Sequence, residues 1–214
     1  MTCHLPFRLA REKVGLTQNR ITMKKNNLIA ITGGIGSGKS LVLKTLKENG
    51  KQTLSCDLVT DEVYKKLFVR RRLAKMFPSA KSGKIIPHVN KKEIAKTVFS
   101  DKAKLKELTD FLTPIILKET LKKAKKLDGQ VFVEVPLLFE CNAQNEFDKV
   151  FVVKRNLEDR IQSVMERSKL SRKQVLERIQ SQFDYDNADL SSYQIIQNDG
   201  NTAELVQKIK EFIS

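Results

Sequence analysis

The amino-acid sequence predicts an α/β protein in which five parallel strands form a sheet flanked by helices. Short apolar runs alternate with longer segments of helical periodicity along the 214 residues, which is the pattern of β-α-β units. The first apolar run also leads directly into a glycine-rich loop. We predict strands at residues 28–32, 52–56, 131–135, 149–153 and 194–196. A chain of this length suits one domain.

The segments between these strands carry start and stop signals of helices. A helix is predicted from Lys39 to about Asn49, where Gly50 ends it. Three later helix starts are indicated by a cap residue followed three positions on by an acid or amide: Asn90 with Glu93, Ser171 with Gln174, and Asn201 with Glu204. Pro114 is expected to break or kink the helical region 101–126, because proline lacks an amide donor.

The most informative motif is the loop T-G-G-I-G-S-G-K-S at residues 32–40. It contains G-x-x-x-x-G-K-S directly after a strand and before a helix, the context in which this pattern binds phosphate. Backbone N–H groups of such a loop turn toward phosphate oxygens, and the helix N-terminus adds positive potential. Lys39 would contact the β/γ-phosphates and the Ser40 hydroxyl would ligate Mg²⁺. The predicted triphosphate-binding residues are Gly33, Gly34, Ile35, Gly36, Ser37, Gly38, Lys39 and Ser40.

The charge distribution predicts anionic ligands. The chain holds 40 Lys+Arg against 25 Asp+Glu, a formal net charge of +15, and residues 60–126 alone hold 19 basic and 7 acidic side chains. This stretch is predicted to be a helical insertion over the carboxyl edge of the sheet, where α/β proteins bind ligands. The arginine-bearing stretch 155–178 is predicted to form a helical lid. With no Trp and only three Tyr, the chain lacks an aromatic platform for nucleic acid.

Other sequence features exclude several classes of protein. Cys3, Cys56 and Cys141 are scattered without C-x-x-C spacing, so neither a disulfide framework nor a thiolate metal site is indicated, and a reducing cytoplasm fits. No apolar run approaches 18 residues, so no membrane span is predicted. Residues 1–22 lack the apolar stretch of a signal peptide. We expect them to be a disordered extension before a monomeric domain at 23–214.

Four further segments accompany the loop in a recognisable order. They are Asp57 after the second strand, V-F-S-D at residues 98–101, V-P-L-L-F-E at residues 135–140, and the lid residues Arg167, Arg178 and Gln182. This order resembles the dephospho-CoA kinase family over about residues 26–212. The resemblance implies a P-loop kinase fold with a helical CoA-binding insertion at 60–126 and a lid at 155–185. It also implies transfer of the γ-phosphoryl group of ATP to the ribose 3′-hydroxyl of dephospho-CoA.

The resemblance and the needs of phosphoryl transfer together suggest residue roles. Asp57 would accept or orient the proton of the ribose hydroxyl, although an Asp at a strand end can also cap the next helix. Lys39 and Arg167 would neutralise the transferring group, Arg167 as an arginine finger or, alternatively, a plain surface ion pair. Glu134 would hold Mg²⁺ through water or form a simple hydrogen bond. Lys91 or its neighbour Lys92 would contact the acceptor.

The chain departs from the family pattern at several positions. Ser55 stands where the usual D-A-D has its first acid, Thr113 where a His precedes the proline, and Tyr193 where an Asp lies near the last strand. Ser163 stands where an arginine is usual four residues before the lid arginine, and we expect Arg160, on the same helical face, to substitute in part. Another small-molecule P-loop kinase, a nucleic-acid-binding NTPase and a nucleotide-binding member without full activity are alternative functions.

Overall fold

A computed structural model of the chain describes residues 26–83 and 87–213, so the extension predicted at 1–22 lies outside the described residues. The strands are β1 (Asn27–Thr32), β2 (Gln52–Ser55), β3 (Lys81–Ser82), β4 (His88–Val89), β5 (Gln130–Glu134), β6 (Lys149–Lys154) and β7 (Gln194–Gln197). Five of them form one parallel sheet in the order β2-β5-β1-β6-β7. The predicted sheet is confirmed, with each strand end within one residue of its predicted position.

Helices flank the sheet and build the insertion. They are α1 (Lys39–Glu48), α2 (Cys56–Lys65), α3 (Leu67–Met76), α4 (Lys91–Ser100), α5 (Lys102–Ala124), α6 (Leu157–Ser168), α7 (Arg172–Gln180) and α8 (Thr202–Ile213). The basic insertion is helical as predicted, and it also contains the short antiparallel pair β3–β4, which the sequence pattern did not indicate. Within the described ranges, none of the helices combines the length and apolarity needed to cross a bilayer.

The central sheet is buried on both faces, because successive side chains of a strand point to opposite sides. One face packs against α5 and the segment after β5; its strand residues are Leu28, Ala30, Val131, Val133, Val150 and Val152. The other face packs against α1 and α8; its strand residues are Ile29, Ile31, Phe132, Phe151, Val153 and Ile196. All five strands are parallel, so their carboxyl ends lie along a single edge of the sheet.

The insertion and the lid each have an apolar cluster of their own. In the insertion, Val63, Leu73 and Ile94 are buried together between α2, α3 and α4. In the lid, Val164 of α6 packs against Val175 of α7. Both groups of helices begin at the carboxyl edge of the sheet, because α2 follows β2 and α6 follows β6.

The predicted helix signals are confirmed at their ends. The N–H of Lys51 donates to the Leu46 carbonyl and Gly50 has φ 74°, which is the Schellman ending of α1. Cap side chains accept backbone N–H bonds at the starts of three later helices, at Asn90, Ser171 and Asn201. In the V-F-S-D segment, Asp101 caps α5 by accepting from the N–H of Lys104.

The predicted break at Pro114 is wrong, since α5 runs without interruption through it. Proline removes one N–H donor, and the carbonyl that loses it belongs to the exposed residue Asp110, where water can replace the bond. On either side of the proline, Leu112 is buried in the insertion cluster and Leu121 in the sheet cluster. Packing at both ends therefore keeps the helix continuous.

Candidate active site

The glycine-rich loop lies at the carboxyl end of β1 and touches its neighbours through backbone atoms. A Cβ at Gly33 would lie 2.3 Å from the Val153 carbonyl oxygen, and one at Gly36 would lie 2.7 Å from that of Arg160. Both glycines have positive φ, 145° and 79°. Residues with side chains could neither adopt this backbone nor approach β6 and α6 so closely. The glycines therefore set the position of the loop.

Side chains from the lid and from β7 hold the loop in this shape. Gln182 Oε1 accepts from the Ile35 N–H at 2.7 Å, and Arg160 Nε donates to the Ile35 carbonyl at 3.1 Å. Asn198 Nδ2, just beyond β7, donates to the Ser37 carbonyl at 2.8 Å. Gln182 is one of the lid residues on which the family resemblance rests. Asn198 was missed, although a polar residue directly after a strand of the sheet is a usable signal.

Arg160, which we expect to substitute in part for the arginine missing at Ser163, is engaged with Asp186 and with the backbone of the phosphate loop. Its side chain is only 4% exposed, and its Nη1 donates to both carboxylate oxygens of Asp186, each at 3.1 Å. A Cβ at Gly34 would lie 2.4 Å from its Nη2. The buried guanidinium thus supports the loop through the Ile35 carbonyl and packs against Gly34.

The side chain of Lys39 folds back into the phosphate loop. Its Nζ donates to the carbonyls of Gly33 at 2.7 Å and Gly34 at 2.9 Å. Burial lowers the pKa of Lys39 to about 8; Glu134 opposes this shift and nearby arginines reinforce it. A bound phosphate would favour the charged amine, so phosphate binding and protonation of Lys39 are coupled.

The groups around the loop fit a nucleotide phosphate with Mg²⁺. Ser40 Oγ donates to Glu134 Oε1 at 3.2 Å, which brings together two oxygen atoms of the kind that Mg²⁺ prefers. Ser37 Oγ is buried and has no hydrogen-bond partner among the described residues, so it is available to a phosphate oxygen. The carboxylate of Glu134 is therefore adjacent to Ser40, the residue predicted to ligate Mg²⁺.

Asp57 is exposed in the first turn of α2 and does not cap that helix. Ser55 is the cap, because its side chain accepts from the Asp57 N–H at 3.2 Å. Serine at the position of the usual first acid therefore keeps the helix start intact. The alternative in which Asp57 is only a helix cap is wrong. Asp57 follows β2 and the phosphate loop follows β1, so both lie at the carboxyl edge of the sheet, where the Asp57 carboxylate contributes to raising the pKa of Lys39.

A small cleft of about 120 Å³ opens at Asp57 between α2, α5 and the segment after β5. Pro136 and Leu137 of the V-P-L-L-F-E segment line it, together with Thr113 from α5. Its wall is mostly apolar, and Asp57 is the one acid among its described lining residues. Thr113, which stands where the family usually has His, therefore lines the same cleft as Asp57.

The rest of the V-P-L-L-F-E segment contacts an aromatic cluster and the chain after α7. The Phe139 ring contacts those of Phe183, Tyr185 and Tyr193 at centroid distances of 4.6, 5.8 and 5.2 Å. Glu140 Oε1 accepts from the Phe183 N–H at 2.9 Å, which joins the segment to the chain after α7. Tyr193, at the position of the usual Asp, belongs to this aromatic cluster. The segment shapes the floor of the site.

Comparison with known proteins identifies the family. The family model for dephospho-CoA kinase matches residues 27–204. The chain belongs to the dephospho-CoA kinase family. It is 33% identical to the dephospho-CoA kinase of Helicobacter pylori over 89% of this chain and 98% of that protein.

Solved structures agree with this membership in the dephospho-CoA kinase family. A Thermus thermophilus crystal structure superposes with a TM-score of 0.73 at 30% identity, covering 89% of this chain and 97% of that one. The dephospho-CoA kinase of Campylobacter jejuni superposes with a TM-score of 0.64 at 27% identity, covering 88% and 96%.

Lys39→Ala should reduce phosphoryl transfer by about 10²-fold or more, the usual cost of removing a group that stabilises the transition state. Its melting temperature should change little, because Nζ bonds only to two loop carbonyls. Lys44→Ala, on the exposed face of the same helix, is the control. Near-normal turnover of Lys39→Ala would contradict the loop assignment.

The wild-type affinity for ATP should weaken as the pH rises through about 8, since the free protein then holds Lys39 uncharged.

Asp57→Asn should lower turnover by about 10² to 10⁴, the range for a general base, while ATP affinity stays close to wild type. Ser55→Ala is the matched control: loss of the cap should lower the free energy of unfolding by about 1 kcal/mol and leave turnover within a few fold. Steady-state kinetics and thermal unfolding of both variants separate the two roles. An Asn variant that keeps its turnover but loses stability would show that Asp57 is structural.

Proposed function

We propose that this protein transfers the γ-phosphoryl group of ATP to the ribose 3′-hydroxyl of dephospho-CoA, giving ADP and coenzyme A. The observation that carries this proposal is that the Asp57 cleft and the phosphate loop both lie at the carboxyl edge of the sheet, after β2 and β1. Family membership supports the reaction, and the geometry supports the assignment of donor and acceptor sides. Lys39, Asp57 and Arg167 are the proposed catalytic residues.

On the donor side, the loop 33–40 binds the triphosphate through backbone N–H groups, with Lys39 as its point charge. Ser40 and Glu134 would hold Mg²⁺, which neutralises phosphate charge when bound. Arg167 lies exposed on α6, close enough to Lys39 to influence its pKa. Its guanidinium can move onto the transferring group, as an arginine finger supplied by the same chain does.

On the acceptor side, Asp57 takes the proton of the 3′-hydroxyl. The 3′-oxygen then forms a bond to the γ-phosphorus while the bond from that phosphorus to the β,γ-bridging oxygen breaks, and ADP leaves. Ser55 carries no carboxylate, so no second acid at that position shares this task. The apolar cleft behind Asp57 would accommodate an uncharged part of the acceptor, and the basic insertion 60–126 would neutralise its diphosphate.

We also propose that the enzyme acts as a monomer in the cytoplasm, with dephospho-CoA as its small-molecule partner and no nucleic-acid or membrane partner. The thiols of Cys56 and Cys141 are free, as is usual in a reducing compartment. Residues 155–185 are proposed to form the lid, since their side chains already bond to the phosphate loop.

The decisive experiment measures ADP formation with dephospho-CoA, AMP, sugars and single-stranded RNA as parallel acceptors. We expect turnover with dephospho-CoA alone. Turnover with AMP or a sugar would indicate another small-molecule kinase. RNA-stimulated hydrolysis would indicate a nucleic-acid-dependent NTPase. ATP binding without transfer to any acceptor would indicate a member that has lost activity.

Lys91→Ala combined with Lys92→Ala should raise the KM for dephospho-CoA selectively, by about tenfold. Lys91 pairs with Asp61 and lies 4.4 Å above the Tyr64 ring, and Lys92 is exposed beside it. The matched control is Lys125→Ala with Lys126→Ala, an exposed lysine pair at the C-terminal end of the insertion, which lies beside the start of β1 at the edge of the sheet opposite the Asp57 cleft and is therefore not expected to contact the diphosphate. An equal rise in the KM for ATP would contradict the acceptor-side placement.

A further inference from the structure

Arg155 is a cation at the nucleotide edge of the sheet to which the preceding argument gives no role. It directly follows β6, which pairs with β1, the strand that leads into the phosphate loop. The carbonyl of Val153, two residues earlier, lies against Gly33. The backbone of Arg155 is therefore a neighbour of the first residues of the loop.

The backbone on both sides of Arg155 is fixed by hydrogen bonds to the segment after β7. The Asn198 N–H donates to the Lys154 carbonyl at 2.9 Å, and the Asn156 N–H donates to Asp199 Oδ1 at 2.6 Å. Asn198 also holds the Ser37 carbonyl of the phosphate loop. The direction in which the Arg155 side chain leaves the chain is thus set by the same residues that shape the loop.

The Arg155 side chain runs along α6 and is only partly satisfied. Its Nη1 donates to Ser163 Oγ at 2.8 Å, while its Nε is buried and has no hydrogen-bond partner within the described part of the chain. An arginine is always charged at physiological pH, and a buried donor without a partner is costly. The Nη2 of Arg155 likewise has no hydrogen-bond partner among the described residues but is not enclosed, so it is the donor that a ligand can reach.

The helix face that anchors this guanidinium is turned toward the phosphate loop. Arg160 on this face bonds to the Ile35 carbonyl, and Val164 would lie 3.0 Å from a Cβ at Gly36. Ser163 and Arg167 are four residues apart, so they are neighbours about 6 Å apart along the helix. Arg167 in turn influences the pKa of Lys39. The guanidinium held at Ser163 therefore lies one helical turn from Arg167, over the donor side of the site.

We propose that Arg155 binds the donor nucleotide, and that Ser163 positions its guanidinium for that purpose. The proposal rests on the proposed function only in taking ATP as the donor. The arginine that α6 lacks at 163 is supplied instead from the end of β6. Ser163 itself carries no charge, but in the structure it holds a guanidinium from another element.

The test exchanges the two side chains. Arg155→Ser should weaken ATP binding by about tenfold, as loss of a charge-assisted hydrogen bond does. Arg155→Ser combined with Ser163→Arg restores a guanidinium at the same place from α6, and should recover affinity to within about threefold of wild type. Lys149→Ser, which removes an exposed cation at the amino end of β6, far along the strand from Arg155, is the control for charge. Binding is measured with a fluorescent ATP analogue in the absence of acceptor.

The outcomes separate this proposal from a structural role and from the proposed function. If Arg155→Ser binds ATP like wild type, or if the exchange restores melting temperature but not affinity, Arg155 does not bind the nucleotide. Parallel titrations with inorganic tripolyphosphate locate the contact: a loss shared with ATP places it at the phosphates, and a loss for ATP alone places it at the nucleoside. Because the readout is binding of ATP, it stands even if dephospho-CoA is not the acceptor.

Discussion

The close approach of the phosphate loop to β6 and α6 is the constraint on which the rest of the site depends. Gly33 lies against the Val153 carbonyl and Gly36 against the backbone of Arg160, at distances that a Cβ would not permit. The loop is consequently held by neighbouring elements before any ligand binds. Positioning groups in advance of the reaction is the main protein contribution to phosphoryl transfer.

The charges of the site are arranged around this fixed loop. Lys39 bonds to loop carbonyls and is balanced by Glu134, so its charge is available at neutral pH although burial disfavours it. Cations of α6 approach from the lid side, while Asp57 approaches from the insertion side. Donor and acceptor groups thus come from elements with separate apolar clusters that meet at one edge of the sheet. This division allows acceptor contacts to change without disturbing the loop.

The sheet and the loop could be predicted from sequence because local patterns determine them. The glycine pattern has few structural solutions, and buried parallel strands are continuous apolar runs. The sequence-based predictions that the structure does not bear out depend on tertiary contacts. Pro114 does not break α5 because packing on both sides holds it, and Arg160 is engaged by Asp186, 26 residues away. The hydrogen bond between Arg155 and Ser163 could not be predicted from the sequence, because the Arg155 side chain extends from the end of β6 to a different element, α6.

The most direct test of the central constraint compares two glycines with almost the same backbone. Gly36 and Gly50 have φ 79° and 74°, but a Cβ at Gly36 meets the Arg160 backbone at 2.7 Å, whereas one at Gly50 meets nothing within 4 Å. Alanine at either position should lower the free energy of unfolding by about 1 kcal/mol or more from backbone strain. The ATP dissociation constant should rise at least about tenfold for Gly36→Ala and stay unchanged for Gly50→Ala, because only the first displaces the loop. Equal ATP affinities in the two variants would contradict the account.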